Sequence, residues 1–166
     1  IIKNGQFKTY SGGYVFMANR KDHCHVFAGK KTFITSSGYY KCNDELNPEK
    51  ADLLIAFGED YYRRGRIAEI TEFLAERAKK EKSVLVYVNP CGGNDSEIYF
   101  GNSMIISPEG KIIAEAPAFE DVILTADTEK AVPYNPEPRE DIADIANALV
   151  MGMRDFFGKQ GFTKAV

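Results

Sequence analysis

Two apolar runs flanking an amphipathic stretch constrain this chain more than any other feature. Ala51 to Gly58 reads ADLLIAFG and Ser83 to Asn89 reads SVLVYVN, each of strand length and without the alternation of a half-exposed strand. Such runs are expected where a strand is covered on both faces. Between them, Ile67, Ile70, Leu74 and Ala78 recur at helical spacing, leaving Glu69, Glu72, Glu76 and Lys79 for solvent. That pattern predicts one helix with one buried stripe. Strand, helix and strand in this order give a βαβ unit with a parallel pair of strands, hence an α/β sheet.

The segments around this unit carry weaker signals. Upstream, GGYVFMAN and KKTFIT are short β-prone pieces among Gly, Tyr and basic residues. Downstream, SMIISPEGKIIAEA places two β-prone runs around a loop whose Gly110 can take positive φ, so a hairpin is expected. DVILTAD, Asp121 to Asp127, predicts a further strand. The Pro-rich VPYNPEP, Val132 to Pro138, can continue neither sheet nor helix and reads as a linker. Beyond it a last helix is expected, with Ile142, Ile145, Leu149, Met153 and Phe156 on one face and Gly158 or Gly161 ending it.

A chain of 166 residues with 44% hydrophobic content can bury one core. The net charge of -3 offers no basic field for nucleic acid, and no run approaches the roughly 20 apolar residues of a membrane helix. The expectation is a cytoplasmic protein with no nucleic-acid or membrane partner. Its odd count of three cysteines argues for reduced thiols over a disulfide framework. His23, Cys24, His25 and Cys42 carry metal-capable atoms but lack the paired Cys-x-x-Cys spacing of structural zinc, and adjacent strand residues point to opposite faces. No metal site is expected. Cys91, between Pro90 and Gly92 with Asp95 and Glu97 nearby, has no local cation to lower its pKa. The glycines after it predict a sharp turn or a close approach of another segment.

Three segments resemble the nitrilase, or carbon-nitrogen hydrolase, superfamily, and within it the glutaminase domains of glutamine-dependent NAD synthetases. VYVNPCGGNDSEIYFGNSMIISPEGKIIAEAPAF, Val86 to Phe119, follows the strand, Val-Asn-x-x-Gly-Gly-x-Asp turn, Phe-x-Gly-x-Ser strand and Pro-x-Gly hairpin of those domains. DYYRRGR, Asp60 to Arg66, stands where they read Ser-Pro-Phe-x-x-Gly-Lys or Arg, so Gly65 and Arg66 agree while Asp60 and Tyr61 depart. IANALVMGMRDFFGKQGFTKAV is similar to the segment that leads from glutaminase to synthetase domain.

The resemblance implies an α/β fold of the αββα sandwich kind, incomplete at its N-terminal side. It divides the chain into a glutaminase portion, residues 1–131, and a linker with connector helix, residues 132–166. It also implies an amide hydrolysis that runs through a thioester. KCNDELNPE matches the family's Cys-x-Asp turn, making Cys42 the implied nucleophile and the Asn43 amide the oxyanion donor. NRKDHCHVF is similar to the family's lysine loop, which makes Lys21 the catalytic lysine, with Lys30 and Lys31 as rivals. The family's Phe-Pro-Glu motif has no counterpart in these residues. Arg66 is the candidate holder of a substrate α-carboxylate, since a guanidinium can grip one bidentately. Tyr61 and Tyr62 would line the pocket, and Asp60 would add a negative charge beside it.

The implied substrate is glutamine and the implied partners are a synthetase domain and further copies of the chain. No cofactor is expected for the amidase portion, ATP and magnesium belonging to the synthetase domain. Two alternatives stand beside this reading: a free-standing hydrolase of another small amide, and a catalytically silent domain serving oligomer contacts.

Overall fold

The computed structural model describes residues 23–27, 30–35, 52–128, 134 and 139–164, the first two stretches as backbone. Its elements are β1 (His23–Phe27), β2 (Lys30–Thr35), β3 (Leu53–Phe57), α1 (Arg66–Glu81), β4 (Val84–Val88), β5 (Cys91–Asn94), β6 (Glu97–Phe100), β7 (Met104–Ile106), β8 (Ile112–Glu115) and α2 (Asp141–Gln160). The fold is α/β. Six strands form one mixed sheet in the order β1-β2-β3-β4-β7-β8, and β5 and β6 form a separate ribbon.

The βαβ unit is at the centre of the sheet. β2, β3 and β4 run parallel, with Leu53 opposite Val84 and Phe57 opposite Val88. Outside them the sheet turns antiparallel, β1 on one side and the β7–β8 hairpin on the other. The four residues of the predicted stripe, Ile67, Ile70, Leu74 and Ala78, are the buried residues of α1. They pack on Leu54, Ala56, Leu85, Tyr87, Met104 and Ile106, which alternate on one sheet face. The opposite face presents Leu53, Ile55, Phe57, Val84, Val86 and Ile105, opposed in register. A sheet apolar on both faces has the composition that a sandwich interior requires.

α1 starts at Gly65, whose φ of 79° is left-handed and suits glycine, and ends at Lys82, whose N–H reaches back to Ala78 and Lys79. The expected hairpin is present. Gly110 has φ +75°, and a Cβ there would lie 2.7 Å from the Ala75 carbonyl oxygen of α1. α2 ends on Gly161, in the left-handed region at φ 72°.

One expectation needs correction. Asp121 to Asp127 forms no strand, and Ile123 is 94% exposed. A β-prone run becomes a strand only when another strand accepts its hydrogen bonds, and this one has no pairing among the described residues. The apolar residues of α2 share one face, as expected, and that face points outward. Ile142, Leu149, Met153 and Phe156 are exposed, while Ala148 and Met151 are the buried residues of the helix. Apart from Tyr134, which lies outside any element, the Pro-rich segment falls outside the described residues, as does GGYVFMAN.

Candidate active site

The parallel strands β2, β3 and β4 share a carboxyl edge, the edge at which α/β sheets build their sites. At this edge the segment after β3, residues 58–65, meets the segment after β4. Gly58 donates its N–H to the Val88 carbonyl at 2.7 Å. A Cβ on Gly58 would lie 2.5 Å from the Tyr87 hydroxyl, so the tyrosine ring lies against bare backbone.

Asp60 is the hub of this edge. It is buried at 5% exposure, and its Oδ1 accepts from Arg66 Nε at 3.0 Å while its Oδ2 accepts from the Tyr87 hydroxyl at 2.7 Å. The Asn89 side chain closes the knot. Its Oδ1 accepts the Asp60 N–H at 2.9 Å, and its Nδ2 donates to the carbonyls of Asp60 and Gly101, each at 3.1 Å. A buried carboxylate persists when a cation and a hydrogen-bond donor hold it, and Arg66 and the Tyr87 hydroxyl supply both here.

Arg66 is thus engaged within the chain. Its side chain is 20% exposed, and besides Asp60 it reaches Glu69 at 3.4 Å. Glu69 is held below the usual carboxylate range, first by its hydrogen bond from Arg63. Tyr61 is half-exposed and bridges to Tyr99 of β6. Tyr62 donates its N–H to the Ile98 carbonyl at 2.6 Å and stacks edge-on against Phe119, ring centres 5.2 Å apart. Burial, then Asp144 and Asp141, raise its hydroxyl pKa. Tyr62 also lines an open cavity of about 600 Å³ between α1, the β7–β8 hairpin and the start of α2.

Of the residues read from the sequence, Asp60, Tyr61, Tyr62 and Arg66 come together at this edge. Lys21, Cys42 and Asn43 lie outside the described residues. Tyr87 and Asn89 were not singled out by residue type. The available signal was a polar side chain closing a buried strand directly before Pro90.

Cys91 belongs to a different surface. It lines a second cavity, of about 420 Å³, with Glu59, Gly93, Tyr99, Asp155 and Lys159. Burial, then the charge of Asp121, push its thiol up, the opposite of what a nucleophile at neutral pH needs. The close approach expected of its glycines is met by α2. A Cβ on Gly92 would lie 3.2 Å from Asp155 Oδ2, and one on Gly93 would lie 3.4 Å from Gly152 Cα. No group of three or more metal-capable side chains occurs among the described residues, and no described helix is long and apolar enough to cross a membrane.

A mixed sheet with a polar knot at the carboxyl edge of its parallel strands defines an α/β domain of the kind that builds its sites at that edge, and comparison with known proteins places it. The chain belongs to the carbon-nitrogen hydrolase family, whose model matches residues 14–132. It is homologous to the glutaminase part of glutamine-dependent NAD synthetases. That of Rhodobacter capsulatus is 30% identical over 140 residues, covering 75% of this chain and 25% of the relative. That of Aquifex aeolicus is 37% identical over 75 residues, covering 45% and 13%. Among solved structures, glutamine-dependent NAD+ synthetase from Acinetobacter baumannii in complex with ADP superposes with a TM-score of 0.71 at 27% identity, covering 88% of this chain and 29% of that one. An amidase of the nitrilase superfamily from Nesterenkonia shares the fold, with a TM-score of 0.51 at 16% identity over 60% of this chain and 38% of its own. The chain spans about a quarter of the length of the NAD synthetases that it matches.

Proposed function

We propose that the chain is the glutamine-hydrolysing portion of a glutamine-dependent NAD synthetase. The observation that carries this reading is the extent of the structural match. The NAD synthetase from Acinetobacter baumannii matches 88% of the chain, the free-standing amidase 60%. The 138 residues that precede Arg139 make up about five-sixths of the chain, so the larger match reaches into α2.

In this reading the Cys42 thiolate attacks the side-chain amide carbon of glutamine. The Asn43 N–H and the Lys21 ammonium stabilise the oxyanion. Collapse breaks the C–N bond, the amide nitrogen takes the proton released from the Cys42 thiol and leaves as ammonia, and water then attacks the thioester, freeing glutamate and returning the Cys42 thiol. Tyr61 and Tyr62 form a wall of the pocket, with Asp60 and Arg66 behind them. Residues 132–166 lead toward a synthetase domain, where ATP and magnesium act, and the cytoplasm is the compartment.

A second reading, hydrolysis of a small amide without an α-carboxylate, is favoured by one observation. The guanidinium proposed to grip that carboxylate already pairs with the Asp60 carboxylate. One assay separates the two. Ammonia release is measured from glutamine and from propionamide, with the unmutated chain and with Cys42→Ala. Release from glutamine that disappears in Cys42→Ala supports the first reading. Release from propionamide alone supports the second. Release that survives Cys42→Ala removes the nucleophile assignment, and silence toward both substrates favours a domain kept for contacts.

A further inference from the structure

We infer that α2 is a positioning element for the Tyr61–Tyr62 segment, acting through the β5–β6 ribbon. The inner face of α2 is built for close contact with backbone. Gly152 lets the helix approach until an added Cβ would stand 2.9 Å from Ile98 Cδ1 of β6. Next to it, Asp155 Oδ2 accepts the Gly93 N–H of β5 at 2.7 Å, and this bond is the first cause holding its carboxyl below the usual range. One turn on, Lys159 Nζ donates to the Gly93 carbonyl at 2.6 Å and to Asn94 Oδ1 at 3.3 Å. An acid and a base of one helix thus hold both polar groups of a single peptide residue, Gly93.

The opposite strand of the ribbon carries the tyrosines. Gly93 pairs with Ile98 across the ribbon, and Ile98 accepts the Tyr62 N–H at 2.6 Å. Tyr99, the next residue, bridges to Tyr61. The path from Asp155 to Tyr62 therefore runs through one residue pair, Gly93 and Ile98. A two-stranded ribbon is weak by itself and takes its position from what it packs on. Here that support is α2, together with the anchoring of β6 through Phe100, which is buried in the core and whose carbonyl accepts the Phe119 N–H at 2.8 Å. The inference rests on the proposed function only in taking Tyr61 and Tyr62 as a pocket wall.

Hydrogen exchange read by mass spectrometry tests it in the unmutated chain, Asp155→Ala, Asp155→Asn and the outer-face control Ile142→Ala. Loss of the Asp155 acceptor is expected to speed exchange at the Tyr62 amide and in residues 98–100 about tenfold. β3 and β4 should remain protected. Asp155→Asn keeps a side-chain carbonyl for Gly93 and should restore part of the protection, while Ile142→Ala should change nothing at Tyr62. Acceleration confined to α2 and residues 91–94, with Tyr62 unchanged, would overturn the inference. Should Asp155→Ala loosen β3 and β4 as well, Lys159→Met decides by the same comparison, since it removes the hydrogen bonds to Gly93 and Asn94 and leaves the Asp155 carboxylate in place. A chain that releases no ammonia would overturn the proposed function and leave this exchange pattern standing.

Discussion

Arg66 Nε donates to Asp60 Oδ1 at 3.0 Å, so the turn between β3 and α1 contains its own ion pair. The pair is set by topology. Asp60 leaves the carboxyl end of β3, Arg66 opens α1, and the left-handed Gly65 turns the chain so that the helix begins beside the strand end. The hydroxyl of Tyr87, from the neighbouring strand, also donates to the carboxylate, while Asn89, the residue after that strand, accepts the Asp60 N–H and donates to its carbonyl.

Removing the Asp60 carboxylate should be costly. Asp60→Ala removes the carboxylate shared by a mostly buried guanidinium and a buried tyrosine hydroxyl, and we expect a loss of about 2–4 kcal/mol, at the lower end because Arg66 keeps its contact with Glu69 and with water. Asp60→Asn, which keeps an acceptor but no charge, should lose less. Urea denaturation of the two variants checks both magnitude and order. Equal stability of Asp60→Ala and the unmutated chain would remove the knot as a structural element.

Gly58 is constrained by the tyrosine ring against it. Gly58→Ala would place a methyl 2.5 Å from the hydroxyl and 2.6 Å from Cε2 of a ring buried in the core. Neither ring nor strand end can yield freely, and overpacking of this kind costs about 1–3 kcal/mol. The shift in thermal midpoint measures it, and a midpoint at or above that of the unmutated chain contradicts the packing.

Cys91 should behave as a poor nucleophile. With its thiol pKa raised by burial and by Asp121, its thiolate fraction at pH 7 falls below that of a free cysteine. Iodoacetamide labelling of the Cys91 peptide should be slow at pH 7 and should still be rising above pH 9. A plateau below pH 8 would reveal an activated thiol and reopen its role.

Asp155 should make stability pH-dependent in one direction. Its folded-state pKa is lowered, first by the Gly93 N–H and then by Arg154. Stability from this group is therefore fully present above the unfolded value of about 4 and is lost as pH falls through the depressed folded value. The difference in urea midpoint between the unmutated chain and Asp155→Asn should be larger at pH 6 and shrink toward pH 3. A difference that is constant with pH would mean that the carboxylate charge is not what Gly93 senses.

The elements most legible in the sequence are those whose pattern is local. The stripe Ile67, Ile70, Leu74 and Ala78 required only a helical period, and the two runs around it required only strand length and continuous apolar character. The glycines after Cys91 signalled a close neighbour, though nothing in them named α2. The same local reading misjudged Asp121 to Asp127, because β-propensity describes a willingness to pair and says nothing about whether a partner is present.

What the sequence by itself determined is therefore the central βαβ unit, the β7–β8 hairpin and, through the Val-Asn to Pro-x-Gly segment, the family. The tertiary structure decided the state of the side chains that meet across elements. Arg66 could have pointed to solvent or to a substrate, and the folded chain ties it to Asp60. The apolar stripe of α2 could have been its buried face, and the fold instead turns Ala148, Met151 and Gly152 inward. In both cases the outcome depends on groups brought together from distant positions, and periodicity along one segment carries no information about them.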